Sequence, residues 1–188
     1  MYTLCCILYI VYFILYIVKI YKKKEGRDMG KLILSILTRD EAGVLTRVSG
    51  LFARRGYNIL SISAGSAEKK GLSRLTIVTQ GEPQILEQIE KQVKKLEDVI
   101  EVDVLNSEKS VLKELAMIKV KVDCSKRQEI STIASVFKAK IVDISKETMI
   151  VEVTGDDIKI DGFIELLAEF EIIEIVRTGI SAIRRGDK

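Results

Sequence analysis

Between residues 31 and 105, apolar residues fall into the periods of a strand, a helix, two strands, a helix and a strand. Between residues 114 and 177 the same order returns with little identity between the two halves. At 47% hydrophobic and 30% charged residues, the 188-residue chain has enough apolar material to bury a core in each half. Together these observations predict an α+β fold of two tandem ferredoxin-like βαββαβ units. Each would be a four-stranded antiparallel sheet with two helices on one face.

In order, Leu32–Thr38 is the first strand, and Val44–Arg55 the first helix, with Val44, Val48, Leu51 and Phe52 on one side. Gly56 follows the last charged turn, where a left-handed cap is usual. Ile59–Glu68 alternates as a strand, Lys69-Lys70-Gly71 is a polar turn, and Leu72–Thr79 is the next strand. Gly81-Glu82-Pro83 breaks the sheet, with Pro83 placed for a first helical turn. Ile85, Ile89, Val93 and Leu96 then repeat at helical spacing through Gln84–Glu97, and Val99–Leu105 closes the unit. Asn106–Lys113 is a polar connector with room for one helical turn. The second unit runs Leu115–Val122 (strand), Glu129–Phe137 (helix), Lys140–Ser145 and Met149–Thr154 (strands), Ile158–Phe170 (helix) and Ile172–Arg177 (strand). Gly179–Arg185 trails it as a short strand or tail. The expected division is therefore 29–106 and 114–188, with a linker at 107–113. The first sheet's uncovered face would be rich in Leu, Ile and Val, which predicts pairing with a second copy.

Residues 1–28 stand apart. Met1–Val18 has no charge, Lys19 and Lys22-Lys23-Lys24 close it, and five of the six tyrosines lie here. Eighteen uncharged residues are short of the ~20 that a membrane span needs. A secretory signal would want a basic start and a small-residue cleavage site, which are missing. Back-translated, Lys24-Glu25-Gly26-Arg27 can be all purine and contain GAAGGA just before Met29, as a bacterial ribosome-binding site does. The expectation is a start at Met29, with a true membrane anchor as the second reading and an unusual processed leader as the third; an anchor would leave the basic cluster to hold the rest in the cytoplasm.

The five basic and two acidic residues of 1–28 account for the whole formal charge of +3, so the remainder is neutral. That gives no nucleic-acid footprint. RNA-recognition modules share the βαββαβ order but stack bases on sheet aromatics, and Leu32–Thr38 and Leu72–Thr79 carry none. With no histidine, a Ser-His-Asp or Cys-His mechanism is impossible. Cys5, Cys6 and Cys124 form neither a disulfide framework nor a zinc spacing, which points to a reducing compartment. Gly155-Asp156-Asp157 reads as a strand-to-helix turn with capping aspartates rather than a metal loop.

The candidate site is Asp40-Glu41-Ala42-Gly43-Val44-Leu45, at the mouth of the first helix, together with Asn58 and Ile59 after it. Acidic residues at a helix start complement its dipole and cap it, and a turn glycine alone needs no ligand. A glycine there also opens bare N–H groups to an anion such as a carboxylate. The combination of Asp40, Gly43 and Asn58 points to a small amino-acid site.

Gly43-Val44-Leu45-Thr46-Arg47-Val48, Gly50-Leu51-Phe52 and Arg55-Gly56-Tyr57-Asn58-Ile59 resemble the amino-terminal ACT domain of the small, regulatory subunits of acetolactate synthase. Leu72–Ile77, Leu86–Leu96, Ile141–Ile144, Gly162-Phe163, Arg177-Thr178-Gly179 and Arg185–Lys188 fit the same family, from about Lys31 to the end. The resemblance implies a non-catalytic partner of a catalytic large subunit, which carries the thiamine diphosphate, Mg and FAD. This chain would then hold no cofactor, work in the cytoplasm, and confer activation and feedback inhibition, usually by valine, in branched-chain amino-acid synthesis. It further implies a homodimer through ACT domains, with the effector between them. By position, Asp40, Gly43, Val44 and Leu45 of one chain would meet Asn58 and Ile59 of the other. Many relatives have Asn where this chain has Asp40. In that arrangement the helix-start N–H groups take the effector carboxylate, Asp40 and Asn58 hold its ammonium, and Leu45 with Ile59 pack its side chain. The alternative is a stand-alone amino-acid sensor, tethered to a membrane if residues 1–28 are translated.

Overall fold

The computed structural model describes residues 30–186; the calls on residues 1–28 and on Met29 lie outside the described residues. The first unit follows the expected order: β1 (Gly30–Arg39), α1 (Val44–Arg54), β2 (Ile59–Ser66), β3 (Leu72–Gly81), α2 (Pro83–Val93) and β4 (Val99–Leu105). Its antiparallel sheet has the order β2-β3-β1-β4, so β1 lies centrally, with Leu34 opposite Ile77 on one side and Val104 on the other. Alternation then sends Leu32, Leu34 and Ile36 toward the helices. There they meet Val44, Val48, Leu51 and Phe52 of α1 and Ile89 and Val93 of α2. The α1 face is the one that the sequence period predicts. Gly56 closes that helix at φ 68°, its N–H donating to the Ala53 carbonyl and that of Tyr57 to Phe52. Pro83 begins α2 as expected. The helix is shorter than predicted, because beyond Val93 the N–H groups of Lys95 and Leu96 switch to acceptors three residues back.

The second unit comprises β5 (Ser110–Lys121), α3 (Arg127–Val136), β6 (Lys140–Ile144), β7 (Thr148–Gly155), α4 (Asp157–Leu167), β8 (Glu171–Arg177) and β9 (Ser181–Arg184). Its sheet has the order β6-β7-β5-β8 around a core of Ile118, Ile130, Val151, Ile160, Phe163 and Leu167. Asp156 caps α4, its side chain accepting from the Lys159 N–H, as the capping reading expects. One expectation changes. The connector read as irregular over Asn106–Lys113 is strand from Ser110 onward, because Ser110–Lys113 pairs with β9 at Arg184–Ser181. That partner lies some 70 positions away, beyond the reach of local polarity.

The uncovered face of the first sheet is also not what the sequence suggests. Ile33, Val78 and Leu105 on that face are buried beneath Ile180, with Leu112 and Ala182 alongside. The arm after β8 thus takes the apolar part of the face within the same chain. Next to it, Arg74 lies across the sheet and donates to the Ser35 hydroxyl at 3.1 Å. An apolar face awaiting a second copy is therefore not the reason to expect a dimer. Among the described residues the outer edges of β2 and β4 pair with no further strand, and on β2 Leu60 and Ile62 are exposed.

Candidate functional site

β1 delivers the chain to the mouth of α1 through two backbone bonds: Arg39 N–H to the Asp98 carbonyl (3.0 Å) and Asp40 N–H to that of Gly71 (2.9 Å). Gly43 is the N-cap residue, at φ 86° and ψ −6°, a left-handed conformation that side chains other than glycine's seldom adopt. No side chain among the described residues caps the helix. The acidic residues do not act as the caps that the sequence suggests: the exposed Asp40 carboxylate accepts instead from the Ser73 hydroxyl on β3, at 3.0 Å. Of the opening N–H groups, that of Val44 donates to Glu41 at 3.3 Å and that of Arg47 to Gly43 at 2.9 Å. Those of Leu45 and Thr46 find no acceptor among the described residues. Two free donors at the positive end of a helix, beside a residue without a side chain, form a seat for an anion.

Sequence reasoning missed a third contributor. Arg47 lies one turn into α1, and its Nε donates to the largely buried Asp98 carboxylate at 2.5 Å. A Cβ added at Gly43 would sit 3.1 Å from Arg47 Nη1, so the guanidinium stands directly over the glycine. The hydrogen bond to Asp98 raises the pKa of Arg47 above its usual value, against a smaller effect of burial. The available sequence signal was the spacing from Gly43, which puts Arg47 on the same helical face. Asp98, 51 positions on, gave no signal.

The remaining residues divide in two. Val44 points into the first core and is buried, so only its backbone faces the mouth, while Leu45 is 48% exposed. Asn58 and Ile59 lie elsewhere: Ile59 pairs with Thr79, which pairs with Leu32 at the far end of β1. The Asn58 carbonyl accepts from Thr79 Oγ1 at 2.6 Å, its side chain is exposed, and Ile59 packs against the rim of the core. By contrast, the mouth of α1 is level with Ser66 and Ser73. The two groups therefore lie at opposite ends of β2, roughly 20 Å apart at the usual rise of a strand. Within one chain Asp40, Gly43, Val44 and Leu45 come together, and Asn58 and Ile59 do not join them.

Among the described residues no group of three or more His, Cys, Asp or Glu side chains is placed to hold a metal, and no helix is long and apolar enough to cross a membrane. Comparison with known proteins is specific. A family model described as the small subunit of acetolactate synthase matches residues 113–186. Another, described as the AHAS small subunit-like ACT domain, matches residues 34–101. The chain is 47% identical over 157 residues to the probable acetolactate synthase small subunit of Methanothermobacter thermautotrophicus, covering 83% of this chain and 94% of that one. It is 43% identical to the acetolactate synthase small subunit of Mycolicibacterium smegmatis, covering 82% and 91%. The crystal structure of the Thermotoga maritima small subunit superimposes with a TM-score of 0.79 at 42% identity, over 85% of this chain and 99% of that one.

Proposed function

The chain belongs to the acetolactate synthase small-subunit family, and on that premise we propose that it is a cytoplasmic regulatory subunit that binds valine or a related branched-chain amino acid between two copies of itself. It activates the catalytic subunit, where thiamine diphosphate, Mg and FAD reside, and confers feedback inhibition on it. The observation that carries this reading is the position of the two half-sites at opposite ends of β2, whose outer edge pairs with no strand among the described residues. A two-fold axis that joins β2 to the β2 of a second copy runs the strands antiparallel. The start of each strand then lies beside the end of the other. Asn58 and Ile59 of one copy thereby approach Asp40, Gly43 and Leu45 of its partner.

In that arrangement the effector carboxylate meets the Leu45 and Thr46 N–H groups under Arg47, while Asp40 and the partner copy's Asn58 side chain take the ammonium. Leu45 and Ile59 flank the branched side chain. Occupancy bridges the copies and so favours one dimer geometry over others, the differential contact that allostery requires. Reconstitution with the catalytic subunit across a valine titration tests the proposal. No acetolactate forms from this chain alone, and rate and valine sensitivity both change on mixing. A catalytic subunit whose rate and sensitivity ignore this chain would refute it.

A further inference from the structure

Gly179, just after β8 of the second unit, comes unusually close to the backbone of β2. A Cβ built on Gly179 would lie 2.3 Å from the Ile62 carbonyl oxygen, 2.6 Å from its carbon and 3.0 Å from the Ser63 nitrogen. These are backbone atoms, which cannot swing aside as a side chain can. Gly179 is not among the glycines with positive φ, so glycine is required here by space and not by conformation. Ile62 lies midway along β2, between the strand end that carries Asn58 and the end beside the α1 mouth.

Gly179 is held firmly from both sides. Thr178 before it exchanges bonds with Leu115, its N–H donating to the Leu115 carbonyl at 2.9 Å and its hydroxyl accepting from the Leu115 N–H at 3.0 Å. Arg177 donates through Nε to the buried Glu114 and through Nη1 to Asp161 on α4 at 2.7 Å. Burial works to lower the Arg177 pKa, but the hydrogen bonds to Glu114 and Asp161 and their charges together outweigh it, and the net shift is upward. Ile180 after it fills the hollow between Ile33, Val78 and Leu105, and β9 then locks onto β5. A cleft of about 490 Å³ borders the contact, lined by Leu60, Ser61, Ile62, Arg177 and Thr178 among others. The Ser61 hydroxyl is buried there with no hydrogen-bond partner among the described residues. The seat thus combines a stiff pusher, a backbone-on-backbone contact and free space into which β2 can shift.

We infer that Gly179 is a positioning residue that couples the second unit to the effector site, through its contact with the Ile62–Ser63 peptide of β2. The inference rests on the regulatory reading above. Effector bound at the two ends of β2 changes the set of that strand, and the second unit senses the change through Gly179.

The test compares the wild type with Gly179→Ala, which wedges the seat, and Ile180→Ala, which loosens it without a clash. Valine binding to each chain is measured by calorimetry, valine inhibition in the reconstituted synthase, and exchange of the Ile62 and Ser63 amides by hydrogen exchange. Both variants are expected to bind valine within about twofold of wild type, while half-inhibition needs about fivefold more valine or more, the low end of ordinary allosteric coupling. Exchange at Ile62 and Ser63 rises in both. If Gly179→Ala fails to fold, Ile180→Ala alone decides. Inhibition equal to wild type in a folded variant overturns the inference, as does loss of binding in step with loss of inhibition. A wild-type chain that neither binds valine nor regulates the synthase overturns the regulatory reading itself, before any variant is considered.

Discussion

Gly43→Asp tests the anion seat most sharply, since it puts a carboxylate where the effector's own should lie. The left-handed conformation costs a residue with a Cβ about 1–2 kcal/mol, and aspartate is among those that tolerate it best. The new Cβ would meet Arg47 Nη1 at 3.1 Å, the tip of a flexible and half-exposed side chain that can give way. The fold therefore survives, with a melting temperature lower by about 2–8 °C. Binding suffers more. Two like charges ~4 Å apart repel by ~4 kcal/mol near a protein surface, and screening at this exposed mouth brings that nearer ~2 kcal/mol. The affinity loss from charge alone is then about 30-fold to several hundred-fold. Gly43→Ala carries the same backbone strain and the Cβ without the charge, and should lose less than about tenfold. Valine calorimetry on the wild type and both variants, beside thermal unfolding, separates the terms. Equal affinities for the Asp and Ala variants would refute an anion seat at Gly43.

Asn58→Ala should weaken valine binding about five- to tenfold, the worth of one hydrogen bond, with the melting temperature almost unchanged. Only its backbone carbonyl serves the fold, accepting from Thr79. Arg47→Gln should weaken binding by about ten- to a hundredfold, the worth of one charge-assisted hydrogen bond. It should also lower the melting temperature, because Asp98 loses its cation. The Asp123 carboxylate accepts from the Ser125 side chain and backbone and from the Lys126 N–H, and its pKa is depressed, most by the Ser125 hydroxyl. A depressed carboxylate stabilises the fold fully above its unfolded pKa and loses that contribution as pH falls through its folded one. Asp123→Ala should therefore flatten the acid limb of a stability-against-pH curve below the ordinary carboxylate range, and leave the neutral region's slope unchanged.

Much of this architecture is legible in the sequence because its elements are amphipathic with clean periods. Val44, Val48, Leu51 and Phe52 mark the buried face of α1 whatever they pack against, and Gly56 and Pro83 mark ends through backbone chemistry that needs no partner. Features made by distant residues left no such trace. Ser110–Lys113 is polar enough to read as a linker and becomes strand only when β9 arrives. Asp40 sits where a cap would sit, yet its carboxylate is claimed by Ser73 from the adjoining strand. Arg47 and Asp98 build one side of the helix mouth from opposite ends of the first unit. Gly179 reads in the sequence as the first residue of a trailing tail, and its closeness to Ile62 leaves no sign there. The burial of Ile33, Val78 and Leu105 under Ile180 also moves the expected dimer contact from the open face of the sheet to its edge.

The central claim is that each effector site takes Gly43 from one copy and Asn58 from another, and complementation between defective chains measures it directly. Gly43→Asp and Asn58→Ala chains, each defective alone, are unfolded together, refolded as a mixture and titrated with valine. In a mixed dimer, one site inherits both defects and the other inherits neither, so the account predicts a class of sites with wild-type affinity, one in each mixed dimer. If both half-sites belonged to a single chain, every site in the mixture would stay defective, and the absence of any wild-type class would contradict the account.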